Sequence, residues 1–97
     1  MATFVILVKM TDEGAKTIRE LPDRAEALQA NAQRLGITVR GWYLTQGEYD
    51  IVVVAEAPDA ETMLAQAAAV SGSGNARTHT LRAFTVDEVK QVFGRMG

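Results

Sequence analysis

The chain has 97 residues, of which 47% are hydrophobic and 23% charged, a globular balance that excludes disorder and suits one domain spanning residues 1–97. Its net charge of -2 and scattered basic residues offer no face for nucleic acid, and the absence of cysteine excludes disulfides, thiolate metal sites and a cysteine nucleophile. The first apolar run, Phe4 to Val8, has no basic residue before it and is too short for a leader or a membrane span, so a cytoplasmic protein without membrane contacts is expected.

Thr3 to Met10 reads as a strand and Thr11-Asp12 as the cap of a helix. Pro22 cannot sit within a helix without cost, so a short first helix is expected to stop and restart with Pro22 in the new first turn. From there Leu21, Ala25, Leu28, Ala32 and Leu35 form one apolar stripe, and Gly36 supplies the stop. Ile37 to Thr45 reads as a second strand, Gln46-Gly47 as a two-residue hairpin turn, and Glu48 to Ala57 as a third strand.

Pro58-Asp59 caps a helix over Ala60 to Ser71 whose apolar positions are mostly small, which lets it lie close to a sheet. Ser71 to Asn75 is a glycine-rich stop in which Asn75 either takes a left-handed conformation or bonds across the loop. Because this loop follows a helix rather than opening one, it does not have the layout of a phosphate loop. Arg77 to Phe84 alternates as a fourth strand. Thr85 and Glu88 have capping-box spacing, opening a terminal helix with Val89, Val92, Phe93 and Met96 on one face.

The order βαββαβ plus a terminal helix specifies an α+β, ferredoxin-like fold with a four-stranded antiparallel sheet ordered 4-1-3-2. Strands one and three are expected at the centre, parallel to each other, because FVILV and IVVVA are continuous apolar runs. The helices of this arrangement cover one sheet face, yet Val5 and Leu7 are as apolar as Phe4, Ile6 and Val8. A second copy packed sheet to sheet is the simplest cover for the other face.

The hairpin GEYD (Gly47, Tyr49, Asp50), the preceding WYLT, the following EAPD and the stretch GNARTHTLRAFT resemble the GYD-domain family. The resemblance runs from Thr11 to Thr85, with His79 where an acidic residue is expected in many relatives. It implies a small bacterial protein with a dimeric α+β-barrel-like fold and no settled activity. By fold analogy it reaches cofactor-free monooxygenases, muconolactone isomerases and ligand-binding domains of regulators.

Asp50 and His79 are the candidate proton-abstracting residues, and no cofactor or metal is expected. For Asp50 a structural role, accepting loop N–H groups or pairing with an arginine, is the stronger reading. Asp50 and Glu56, on one strand face about 20 Å apart, are too distant to act as a pair. His79, the only histidine, has no partners at metal-ligand spacing. Trp42, Tyr43, Tyr49, Asn75 and Arg77 are the remaining candidate ligand-binding residues, although aromatics in such places more often seal a core or an interface. Arg40, Arg77 and Arg82 are expected to pair within the protein, with Asp50 or Glu56 as partners.

Three functions follow in order of preference. The first is an oligomeric small-molecule-binding protein, regulatory in role, with an apolar cleft between sheet and helices taking a compact organic or aromatic acid. The second is a self-assembling structural protein. The third is a cofactor-independent enzyme of the dimeric-barrel kind.

Overall fold

The computed structural model describes residues 1–97 and runs β1 (Ala2–Met10), α1 (Asp12–Lys16), a 3-10 turn (Ile18–Glu20), α2 (Leu21–Arg34), β2 (Thr38–Leu44), β3 (Ile51–Ala57), α3 (Ala60–Gly72), β4 (Ala76–Ala83) and α4 (Val86–Gly94). The strands form one sheet ordered β2-β3-β1-β4, the anticipated order read from its other edge.

All three pairings are antiparallel, including β1 with β3, where Phe4 faces Ala55 and Val8 faces Ile51. The parallel central pair is therefore corrected. A helical crossover returns β2 in the direction of β1, and the hairpin then reverses β3. The hairpin is also longer than a two-residue turn. β2 ends at Leu44 and β3 begins at Ile51, while the Thr45 N–H donates to the Asp50 carbonyl at 2.7 Å and the Thr45 hydroxyl to the Tyr49 carbonyl at 2.7 Å. Backbone and side-chain bonds from one threonine thus close the loop five and four residues later, and the third strand loses its expected first three residues.

The break at Pro22 is as the ring chemistry requires: α1 is five residues long, a 3-10 turn follows, and Pro22 lies in the first turn of α2. At the other end of α2, Gly36 adopts φ 81° and the Ile37 N–H reaches back to the Ala32 carbonyl at 2.9 Å, satisfying a terminal carbonyl before β2 starts. Thr11 caps α1, Asp59 caps α3, and the Thr85/Glu88 capping box opens α4.

The core lies on one face of the sheet. Phe4, Ile6 and Val8 from β1 and Ile51, Ala55 and Ala57 from β3 are buried against Ala32 of α2, Ile37 and Met63 of α3. Each large member contributes roughly 1.5–3 kcal/mol. On the other face the side chains of Val5, Leu7, Val52 and Val54 lie between half-covered strands with no helix above them. No helix is long and apolar enough to cross a membrane.

Two features leave the chain open. Helix α4 packs on no other element through any extended contact and buries none of its residues: Val86 is 76% and Phe93 62% exposed. The accessible surface is 6600 Å² for 10.5 kDa, where the size scaling of monomers gives about 5,400 Å². The radius of gyration, 14.6 Å, likewise exceeds the roughly 12.5 Å usual for this length.

Candidate functional site

The small residues of α2 and α3 that face the sheet do not fill the space above it. A cavity of about 110 Å³ remains between the two helices and β1, β3 and β2, and 17 of the 23 residues around it are hydrophobic. Ile6, Val53 and Trp42 form part of its floor and Leu28, Met63 and Ala67 part of its roof.

The helices are joined above the cavity by polar bonds. The Asn31 amide donates to Gln66 Oε1 at 2.6 Å, and Gln66 Nε2 donates to the Leu28 carbonyl at 2.9 Å. Arg24, at the end of the first turn of α2, also lines the cavity. Its Nη1 donates to the Thr17 hydroxyl at 2.7 Å and the Thr17 carbonyl at 3.3 Å, and its Nη2 to the Gly14 carbonyl at 3.3 Å. The nearest carboxylate, Glu20, is 3.7 Å from Nη1 and 68% exposed. A loose ion pair of this kind in water contributes little.

The loop after α3 closes the same end. Thr11 N–H donates to the Asn75 carbonyl at 3.0 Å and the Thr11 hydroxyl to the Gly74 carbonyl at 2.7 Å. A Cβ on Gly14 would lie 2.0 Å from the Asn75 carbonyl oxygen, so the loop rests on α1 only because residue 14 has no side chain. The left-handed position in this loop is Gly74, with φ 79°, and no residue other than glycine has positive φ. Asn75 is therefore not left-handed; its backbone carbonyl accepts the Thr11 N–H, and its own N–H donates to the Ser73 hydroxyl at 3.2 Å.

The candidate residues separate into three places. Trp42 and Asn75 line the cavity. Asp50 lies beyond the start of β3, where its Oδ2 accepts the Met10 N–H at 2.8 Å while its own N–H donates to the Val8 carbonyl at 2.9 Å. The carboxylate at the mouth of the apolar strand therefore extends the β1–β3 pairing past the end of the ladder. Tyr43, Tyr49, Arg77 and His79 gather on or beside the open face. Tyr43 is 59% exposed, His79 stands opposite Leu7, and Arg77 opposite Lys9. The Tyr49 and His79 rings meet edge to face with centroids 6.4 Å apart. Neither Asp50 nor His79 lines the cavity.

Two of the three arginines find internal partners. Arg40 Nε binds Glu56 Oε1 at 2.8 Å beside the bulge between Val39 and Gly41, and this hydrogen bond holds the Glu56 carboxyl below its ordinary range. Arg82 binds Glu88 at 3.2 Å and lies 4.3 Å over the Phe84 ring. The Glu88 carboxyl is held low first by the Thr85 backbone N–H and then by Arg82. Arg77 has no ion-pair partner.

Arg24 and Gln66 were absent from the candidates drawn from the sequence. Both carry a periodic signal. Arg24 follows Leu21 by three residues and precedes Leu28 by four, and Gln66 stands likewise between Met63 and Val70. A polar residue within an apolar stripe faces the sheet with its neighbours.

The chain is thus a ferredoxin-like α+β domain with helices on one sheet face, an apolar cavity beneath them and an uncovered second face. The sequence matches the GYD domain family over residues 4–93, and the chain belongs to that family. It is also 34% identical over 90 residues to the glutamine synthetase and cystathionine beta-lyase binding protein of Thermus thermophilus, an alignment covering 92% of this chain and 95% of that protein. No solved structure matches the chain at a significant level.

Proposed function

We propose that the protein is an oligomeric binding protein: two copies join through their open sheet faces, and the assembly docks on partner proteins. The observation that carries this reading is the surface left open. The chain exposes roughly 1,200 Å² more than a monomer of its mass normally does, given its 6600 Å², and a standard interface buries about 800 Å² per partner. The centre of the open face is apolar, and its charges stand toward the rim, the layout of an interface core. The Thermus relative, named for binding glutamine synthetase and cystathionine beta-lyase, supports protein partners of that kind here.

Native mass spectrometry followed by size-exclusion chromatography with glutamine synthetase from the same organism tests the reading. A mass of twice 10.5 kDa, converted to monomer by Val54→Asp, is expected, as is co-elution with the enzyme. A wild-type monomer would overturn the sheet-to-sheet pairing. A dimer that never co-elutes would overturn the choice of partner.

The cavity supports a second activity of the same protein, binding of a compact organic ligand between sheet and helices. Its walls are mostly apolar, and its few polar groups include Arg24, Gln66 and Asn75. Nothing comparable favours catalysis, because Asp50 is engaged in backbone pairing and His79 lies on the opposite face.

A further inference from the structure

We propose that the cavity takes a compact apolar monocarboxylate and that Arg24 holds its carboxylate. This rests on reading the cavity as a ligand site, and adds the ligand's class and the residue that selects it.

Size comes first. A dry apolar cavity of about 150 Å³ accommodates a benzene ring, so a space of about 110 Å³ suits a ligand whose apolar part has about four to six non-hydrogen atoms. The walls accept branched aliphatic or aromatic carbon and nothing strongly polar.

Charge comes next. A guanidinium has five N–H donors. Three hydrogen bonds engage Arg24, two from Nη1 and one from Nη2, and all three acceptors are uncharged oxygens of Thr17 and Gly14. Nε makes no hydrogen bond and Nη2 makes only one, and these two nitrogens share an edge of the planar group. Parallel donors on one edge match the two oxygens of a carboxylate. The bonds already made fix the orientation of that edge in advance, which lowers the entropic cost of binding.

Arg24 is also the only charged residue around the cavity; the other polar groups, among them Gln29, Gln66, Ser73 and Thr78, are neutral. Glu20 neutralises the guanidinium only loosely, from a position 68% exposed to solvent. A ligand carboxylate therefore meets one cation and no competing anion within the cavity.

The chain's single tryptophan, Trp42, lines the cavity and reports on it. The test uses 3-methylbutanoate and benzoate, with their primary amides as neutral isosteres and toluene as an apolar probe. Ligand-detected NMR gives affinity, and Trp42 emission gives location. Both acids are expected to bind with a change in Trp42 emission, at least tenfold more tightly than their amides. In Arg24→Gln that preference should collapse to less than threefold, with amide affinity retained; Arg24→Lys, which keeps the charge but loses the fork, should lie between. The acid-to-amide ratio in the unaltered protein tests the proposal even if a variant fails to fold. Equal binding of acids and amides would overturn the role of Arg24 and leave the cavity as a ligand site. Binding without any Trp42 response, or no binding of acids, amides or toluene, would overturn the ligand-site reading itself.

Discussion

Ile6 and Leu7 are isomeric side chains on adjacent residues of β1, and they have opposite surroundings. Ile6 points toward α2 and α3 and is 8% exposed; Leu7 points to the face that no helix covers, beside Val52 of β3 and His79 of β4. The contrast extends across the sheet. On the helix side, Phe4, Val8, Ile51, Ala55 and Ala57 complete a buried cluster. On the open side, equally apolar residues stop at half burial. At the centre of β1 and β3 both faces are apolar, so what distinguishes them there is where the crossovers place the helices. This uncovered apolar face is the one that the proposed pairing of two copies would bury.

The largest effect that sharpens this comparison is a matched pair of truncations. Ile6→Ala should cost about 2–5 kcal/mol of unfolding free energy, the usual loss for a buried aliphatic chain, at any protein concentration. Leu7→Ala should cost less than half of that in dilute solution, with the deficit growing as concentration rises, since a partner copy stabilises only the folded face it covers. Denaturant titrations at two concentrations a hundredfold apart decide it. Equal and concentration-independent losses for both variants would remove the distinction between the faces.

Asp50→Ala should have an intermediate effect. It strands the Met10 N–H that the carboxylate now accepts at 2.8 Å, at a cost of about 1–3 kcal/mol. Because this bond lies at the end of the ladder and belongs to neither face, the loss should be the same at both concentrations. A change below about 0.5 kcal/mol would show that the carboxylate is not architectural.

The smallest effect is the acid limb of stability. Glu56, Asp59 and Glu88 are all held below their ordinary carboxyl values: Glu56 by Arg40, Asp59 by hydrogen bonds from the Thr62 side chain and backbone, and Glu88 by the Thr85 N–H with Arg82. A carboxyl depressed in the folded chain contributes stability that is present above its unfolded value and lost as pH falls through its folded value. Denaturation midpoints should thus hold from neutral pH down to about pH 5 and decline below about pH 4.5. Glu56→Gln should flatten part of that decline. Of the three acids, only Glu56 lies on the open face, so an assembly that covers this face should make its share larger.

Local chemistry was legible in the chain wherever one short-range constraint dominates. Pro22 had to end one helix and open the next, Thr85 and Glu88 had to cap a third, and Gly36 had to end α2. Alternation and apolar runs were enough to identify four strands and their order, because central strands carry little polar surface. The hairpin was misjudged by three residues, since Thr45 closes it with a backbone and a hydroxyl bond that strand propensity does not register. The parallel central pair was an error of direction that the crossover and hairpin correct.

The sites were less legible. Spacing alone could not say that Tyr49 and His79 would meet as rings on the open face while Trp42 faced the cavity, because a side chain's face depends on register and register depends on the completed ladder. Arg24 was passed over because an arginine in an exposed-looking helix usually reaches solvent. Only the packing of α1, the 3-10 turn and the loop after α3 turns it inward against Thr17 and Gly14. By itself, then, the sequence determined the elements, their order and the apolar character of both sheet faces, since these follow from local stereochemistry and from period. The tertiary structure alone decided which face received helices, where small side chains left a cavity and which cation bounds it, because those outcomes depend on contacts between residues distant in the chain.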